Sequence, residues 1–448
     1  MAAVNLIKSD NSKRNVTLRN NIILSGIFKF IGLISSLLIV PITLHYLDKE
    51  EYGIWLTISS ILTWVSFFDI GLGNSLRNYL TQAVSKKDFT LGRTYLSTTL
   101  IMMFCIASTI SILLFFPITF MNLNKVFNSY AISDSTLRNV MFIAIGVTLI
   151  YFIVKNIGYI YIAMQKIAVN EFLIAGSNVI ALLIIYILTK YAYGNLSYVV
   201  LVYTITPVVL FLIASVPIFT KYPKLKPTFN AFDKKIAKQI TSKGVGFFFI
   251  QITSCLVIYG SSNLFITQFC GPTGVTTYNI AFKYFNLMAI AYTIVISPMW
   301  NAYTDAYIKN DMKWIKKTFN KSLFFCALSV VGGIVMFIFC NIFYRMWVGN
   351  SVQIPLSVSL CVLAYISFFN FNNCTSYLLN GLNIIRVQIY TSIAFTILYL
   401  ISVFIMGHRF GIEGVVLCMA VCYALMGSIH LYQCHLILKR KAIGIWGK

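Results

Sequence analysis

The sequence predicts an all-α integral membrane protein with twelve transmembrane helices arranged in two six-helix lobes. Hydrophobic residues make up 58% of the 448 residues and charged residues only 10%, whereas soluble domains carry about 25% charged residues. Twelve apolar runs approach the length of about 20 residues that a helix needs to cross a bilayer. The two halves of the chain also resemble each other, so six spans belong to each lobe.

The twelve predicted spans follow one another from near the N-terminus to near the C-terminus. The polar, basic segment before the first run lacks the short apolar core of a cleaved signal peptide, so we expect the first run to remain as a helix. The runs are 22–47, 54–72, 94–116, 139–162, 170–189, 197–219, 244–269, 275–299, 322–344, 355–380, 387–406 and 414–437.

The basic residues predict the orientation of these spans. The net charge is +23 and the chain has 35 Lys and Arg, most of which fall on the side of the N-terminus when the spans alternate. This is the positive-inside pattern, and it predicts a multi-pass protein with both termini in the cytoplasm. We therefore interpret the basic clusters as topology signals near lipid headgroups and expect no nucleic-acid partner.

The chemistry of an enzyme or a metal site is not indicated. The ten Cys are scattered through apolar runs, and His430, Cys434 and His435 do not form a complete set of metal ligands. Gly71 and Gly73 lack the strand and helix context of a phosphate-binding loop. We expect a protein that is not an enzyme and that holds neither a metal nor a cofactor.

An internal repeat supports the division into two lobes. A shift of 223 residues aligns the segment 74–88 with 297–311 and places Lys86 on Lys309 and Asp88 on Asp311. We interpret both segments as the cytoplasmic loop after the second helix of each half. A shift of 218 residues aligns IGYIYIAMQK with TSYLLNGLNI. Because each half has an even number of spans, the two copies have the same orientation, as in transporters built from parallel repeats. The predicted parts are an N-terminal lobe (1–219), a basic cytoplasmic linker (220–243) and a C-terminal lobe (244–448). Such a design predicts a substrate site between the lobes that opens alternately to either side.

Two short segments carry a resemblance to a known family. The turn LHYLDKEEYGIWL at 44–56 and the element FDIGLGNSLRNYL at 68–80 resemble the bacterial polysaccharide flippases of the multidrug/oligosaccharidyl-lipid/polysaccharide (MOP) exporter superfamily. The resemblance implies a MATE-like fold in the bacterial inner membrane. It also implies export of undecaprenyl-pyrophosphate-linked oligosaccharide units, such as O-antigen units, from the inner to the outer leaflet. A polysaccharide polymerase and a chain-length regulator would be further partners, besides membrane lipids.

Three lysines within the predicted spans are the candidate substrate-binding residues: Lys29, Lys155 and Lys283. A charge at membrane depth is costly and tends to face a cavity or a partner. Lys29 and Lys155 lie near the cytoplasmic ends of their spans, so each either lines a cavity or extends its stem to the headgroups. Lys283 lies deeper and shares a helix face with Asn279 and Asn286.

These residue types suit a lipid-linked sugar. An ammonium group can form charge-assisted hydrogen bonds with a pyrophosphate, and we assign this role to Lys29 and Lys283, one from each lobe. Amide side chains can bind sugar hydroxyls or can join neighbouring helices, and these two interpretations remain open for the tenth span. The further candidates for sugar binding are Asn279, Asn286, Gln251, Asn370 and Asn373.

Asp69 and the alternative cargoes remain open at this point. Asp69 either pairs with Lys29 or Lys155 or couples transport to an ion. A multidrug cation antiporter of the same superfamily would use membrane carboxylates, yet the first and seventh spans contain no Asp or Glu. A lipid II flippase would share the pyrophosphate chemistry. A membrane scaffold or polymerase fits poorly with two six-helix repeats and short outer loops.

Overall fold

The protein is described by a computed structural model that covers residues 2–69, 71–241 and 260–447. Within these ranges the chain is helical except at turns. Fourteen α-helices are described, the tenth of them (α10) over 234–241. The others are α1 Ala2–Tyr46, α2 Lys49–Phe67, α3 Leu72–Ser85, α4 Phe89–Phe120, α5 Leu123–Phe127, α6 Asp134–Val154, α7 Asn156–Ala163, α8 Ile167–Tyr191, α9 Leu196–Lys221, α11 Ser262–Ile308, α12 Met312–Val348, α13 Leu356–Gly381 and α14 Arg386–Leu438.

Nine helical stretches in the described part of the chain are long and apolar enough to cross a membrane. The number is smaller than twelve partly because two of these stretches each contain more than one predicted span. Predicted spans 387–406 and 414–437 lie within α14, which is interrupted at Gly411. The predicted span 275–299 and the described end of 244–269 lie within α11, which is interrupted at Gly271. At both breaks the glycine has a positive φ, 56° and 72°, a conformation that L side chains rarely adopt.

The chain forms two compact units, each described here by itself. The first unit comprises Met1–Asp48, Ile61–Asn124 and Tyr130–Phe248, and the second comprises Lys49–Ser60, Lys125–Ser129 and Phe249–Lys448. The first half of α2 and a short piece around α5 therefore group with the C-terminal half of the chain. The order of the predicted spans did not predict that these segments group with the C-terminal half, because this grouping depends on long-range packing.

The basic segment after α9 belongs to the first unit. Leu225 is fully buried in a cluster with Leu80 and Leu96, and the backbone N–H of Thr228 donates to Ser97 Oγ at 3.0 Å. The backbone N–H of Asp233 likewise donates to Thr98 Oγ1 at 3.1 Å. The described part of this predicted linker is thus packed along α4.

The stretch after the second predicted span is helical and not a loop. We expected residues 74–88 to form the cytoplasmic loop that follows the second predicted span. The structure instead forms α3, in which Leu72, Leu76, Leu80 and Ala83 are buried. These residues recur every three or four positions, so they form one apolar face of an amphipathic helix. The predicted span 54–72 correspondingly ends as a helix at Phe67.

The internal repeat is visible in the backbone. The turn before α4 has Lys87 at φ 58°, and the turn before α12 has Asn310 at φ 57°, which is 223 residues later. The next residue in each turn, Asp88 or Asp311, accepts a hydrogen bond from the backbone N–H three residues on, at 2.9 and 3.0 Å respectively. Both carboxylates therefore act as N-caps in equivalent places. The aligned sequences thus form the same turn in the two halves.

Candidate functional site

An ion pair in the first unit joins two of the candidate residues. Lys155 lies at the junction of α6 and α7, and its Nζ is 3.3 Å from Asp69 Oδ2. The side chains are only 17% and 12% exposed, so the pair is well shielded from the surroundings. The ammonium of Lys155 is thus paired with the carboxylate of Asp69. Ion coupling by Asp69 stays a prediction.

Asp69 also explains the local shape of the FDIGLG element. Its Oδ1 accepts a hydrogen bond from the backbone N–H of Gly73 at 3.1 Å, in the first turn of α3. Gly71 has a φ of 70°, which glycine adopts without strain. A Cβ atom on Gly73 would overlap the ring of Tyr159. The aspartate and the two glycines therefore start α3 and hold it against α7.

The second candidate lysine of the first unit also has an acidic neighbour. Lys29 on α1 lies 4.0 Å from Glu171 on α8, measured from Nζ to Oε1. Its side chain is 68% exposed, so this contact is looser than the pair of Lys155 and Asp69. Phe28 and Phe172 pack edge to face beside it, with ring centroids 5.2 Å apart. In the described part of the first unit, each of the two candidate lysines is accompanied by a carboxylate.

Lys283 differs from these two lysines. It lies on α11 in the second unit and is partly buried. Its side chain is on the same face of this helix as Asn279 and Asn286. No carboxylate among the described residues lies within 4.0 Å of its ammonium, the limit for an ion pair. Of the three lysines predicted within spans, Lys283 is the one without a described counter-ion.

Asn279 takes part in a polar network that joins helices. Its Nδ2 donates to Asn263 Oδ1 at 2.7 Å and to the Val275 carbonyl at 2.9 Å. The amide of Asn263 in turn donates to Ser60 Oγ at 2.7 Å. Thr276, one turn before, donates to the Lys49 carbonyl at 2.8 Å. These bonds tie α11 to the first half of α2 within the second unit. Asn279 therefore helps to join the two helices.

The other asparagine candidates occupy different environments. Asn370 is fully buried on α13, where its Nδ2 lies 3.5 Å from Ser329 Oγ. Its Oδ1 has no hydrogen-bond partner among the described residues. Asn286 and Asn373 are partly buried. Gln251 lies outside the residues that the structure describes.

Three polar residues that the structure brings into contacts were not candidates in the sequence. Thr267 Oγ1 lies 2.7 Å from Thr57 Oγ1. Asn263 and Thr267 are spaced by four residues in an apolar run, and this spacing was the signal that could have identified them. Glu171 required the fold, since its lysine partner lies on another helix. His430, which we did not expect to bind a metal, is buried. Its Nε2 lies 2.9 Å from Thr391 Oγ1 and its Nδ1 lies 3.0 Å from Asn372 Oδ1.

Comparison with known proteins identifies a family of polysaccharide biosynthesis proteins to which the chain is similar. The family model described as "Polysaccharide biosynthesis protein" matches residues 18–303. A protein of Salmonella typhi named "Putative O-antigen transporter" is 25% identical over 319 residues, which cover 67% of this chain and 66% of that protein. A protein of the same name from Salmonella typhimurium is 23% identical over 402 residues, covering 85% of this chain and 87% of that protein.

Solved structures show the fold. An inward-facing multidrug resistance MATE family transporter of the MOP superfamily superposes with a TM-score of 0.77 at 13% identity, over 93% of this chain and 98% of its own. The lipid II flippase MurJ in an inward closed conformation gives a TM-score of 0.70 at 16% identity, over 93% and 87%. These superpositions confirm the predicted MATE-like helical fold. The family match and the two O-antigen transporter relatives confirm the predicted resemblance to the bacterial polysaccharide flippases.

Proposed function

Because the chain belongs to the polysaccharide biosynthesis protein family, we propose that it is a flippase for undecaprenyl-pyrophosphate-linked oligosaccharide units. The cargo class is an O-antigen or a related surface polysaccharide unit. It would move from the inner to the outer leaflet of the bacterial inner membrane by alternating access. The naming of two relatives as O-antigen transporters supports this cargo.

The observation that carries the chemical part of the proposal is Lys283. A partly buried ammonium within a span, with no carboxylate among the described residues beside it, is costly unless a mobile anion compensates it. The pyrophosphate between lipid and sugar is such an anion, and it accepts charge-assisted hydrogen bonds from an ammonium. Asn286 lies on the same face of α11, where its amide suits a sugar hydroxyl.

The first unit contributes in a different way. The ammonium groups of Lys29 and Lys155 each have a carboxylate nearby, so each must exchange that partner for the pyrophosphate or share it. The looser contact of Lys29 with Glu171 is the easier one to exchange, because its lysine is largely exposed. We therefore assign pyrophosphate binding to Lys283 and Lys29, and a structural pairing role to Lys155 and Asp69.

The same arrangement disfavours the export of organic cations. A cation antiporter needs a membrane carboxylate that is available to the cargo. Among the described residues, Asp69 is already paired with Lys155, Glu171 lies 4.0 Å from Lys29, and Lys283 would repel a cation. A lipid II flippase would use the same pyrophosphate chemistry as our proposal, so only the sugar distinguishes these cargoes.

Genetic complementation tests the proposal. A strain that lacks its O-antigen flippase would be given this gene together with the genes for the matching repeat unit. We expect surface polymer to return and membrane-bound, pyrophosphate-linked units to fall. Continued accumulation of these units, with the protein present at normal abundance in the inner membrane, would contradict the proposed function.

A further inference from the structure

A cavity in the second unit lies where the first turns of α12 meet the last turns of α14. Its volume is about 430 Å³, within the range of pockets that hold small ligands. Phe319, Leu323 and Leu431 form apolar parts of its wall. Phe319 belongs to the buried cluster around Ile315 and Ile437, and Leu323 and Leu431 pack against it, so the wall is part of the hydrophobic core of this unit.

Basic side chains lie at the ends of the two helices that line this cavity. Lys316 belongs to the second turn of α12, His435 to the last turn of α14, and Lys439 caps the C-terminus of α14. Both lysines are exposed. None of the residues described as lining the cavity is acidic. The cavity therefore combines a basic rim with an apolar wall.

This combination matches one class of ligand. Lys316 and Lys439 lie at the ends of helices long and apolar enough to span a membrane, which is where phospholipid headgroups are found. Basic pockets between helix ends attract anionic headgroups. A free phosphate ion would use the lysines but leave the apolar wall exposed, whereas an acyl chain covers it. The basic rim and the apolar wall together thus favour a lipid over a free anion.

We propose that the cavity between α12 and α14 binds an anionic phospholipid, with its phosphate between Lys316 and Lys439 and an acyl chain along Phe319 and Leu431. This site is separate from Lys283, and it is occupied whether or not the protein carries a sugar cargo. The lipid would fill the gap between the two helix ends and hold them together.

Native mass spectrometry of the purified full-length protein tests this proposal. The probes are phosphatidylglycerol and phosphatidylcholine with identical acyl chains, added separately to detergent-solubilised protein. We expect the wild type to retain phosphatidylglycerol preferentially. The double variant Lys316→Gln/Lys439→Gln should bind it about 30-fold more weakly, since each lysine near a headgroup contributes roughly a factor of five.

The matched control is the double variant Lys313→Gln/Lys317→Gln. It removes the same charge from the same end of α12, at exposed positions that do not line the cavity. Equal losses in both double variants would overturn the proposal, because general surface charge would then explain the binding. Displacement of the lipid by millimolar inorganic phosphate would also overturn it in favour of a free anion. Since no transport is measured, failure here leaves the proposed function untouched.

Discussion

Replacing Lys283 with methionine tests the central chemical step. Methionine has a similar length and no charge, so it removes the ammonium and leaves most of the volume. Lys283 follows the break at Gly271 by twelve residues, which corresponds to about 18 Å along a helix. In a hydrocarbon layer about 30 Å thick, this position is near the centre.

The depth of Lys283 decides the expected magnitudes. A lysine at the centre of a spanning helix costs about 2.5–3.5 kcal/mol on insertion scales. Because no described carboxylate compensates this lysine, Lys283→Met should leave the stability unchanged or raise it. A hydrogen bond to a charged group contributes about 1.5–3 kcal/mol. Its loss should weaken the binding of undecaprenyl pyrophosphate by about 10- to 150-fold.

The assay compares binding, stability and export in one set of variants. Affinity for undecaprenyl pyrophosphate and the apparent melting temperature would be measured on purified protein, and surface polymer in the complemented strain. Lys283→Arg keeps the charge and should retain most of the binding. Unchanged affinity and export in Lys283→Met would refute the reasoning. A lower melting temperature would show instead that Lys283 has a structural partner.

The remaining predictions concern stability. Lys155→Met should destabilise the protein by about 3 kcal/mol, because it leaves Asp69 shielded and unpaired; the double variant with Asp69→Asn should recover part of this loss in thermal unfolding, and no recovery would argue against the ion pair. Gly53→Ala should lower the melting temperature because the added Cβ would overlap the Pro272 carbonyl, whereas Gly332→Ala has open space and should not. The hydrogen bond from the backbone N–H of Leu91 lowers the pKa of Asp88 below its usual 3.8. The stability that Asp88 contributes as an N-cap is therefore fully present above pH 3.8, and it is lost as the pH falls through the lowered pKa of the folded protein. The difference in melting temperature between wild type and Asp88→Ala should accordingly shrink in acid, and a constant difference would contradict this.

Much of the fold follows from the sequence because it depends on local properties. Apolar runs of sufficient length must satisfy their backbone within helices in a bilayer, so the spans could be located without tertiary information. The repeat could also be recognised in the sequence, because the turns at Lys87 and Asn310 need the same short polar sequences and N-capping aspartates. The prediction of a loop at α3 was wrong, because it followed only from the position after the second predicted span, whereas the spacing of Leu72, Leu76 and Leu80 indicates an amphipathic helix.

The sequence by itself determined the candidate lysines and the cationic character of the spans. Only the tertiary structure decided which of them have partners. Asp69 and Lys155 are far apart in the chain, and so are Lys29 and Glu171, but helix packing brings each pair within 4.0 Å. The same packing joins Asn279 to Asn263. Pairing energies depend steeply on distance and on shielding from water, and neither quantity is encoded in the spacing of residues along one helix.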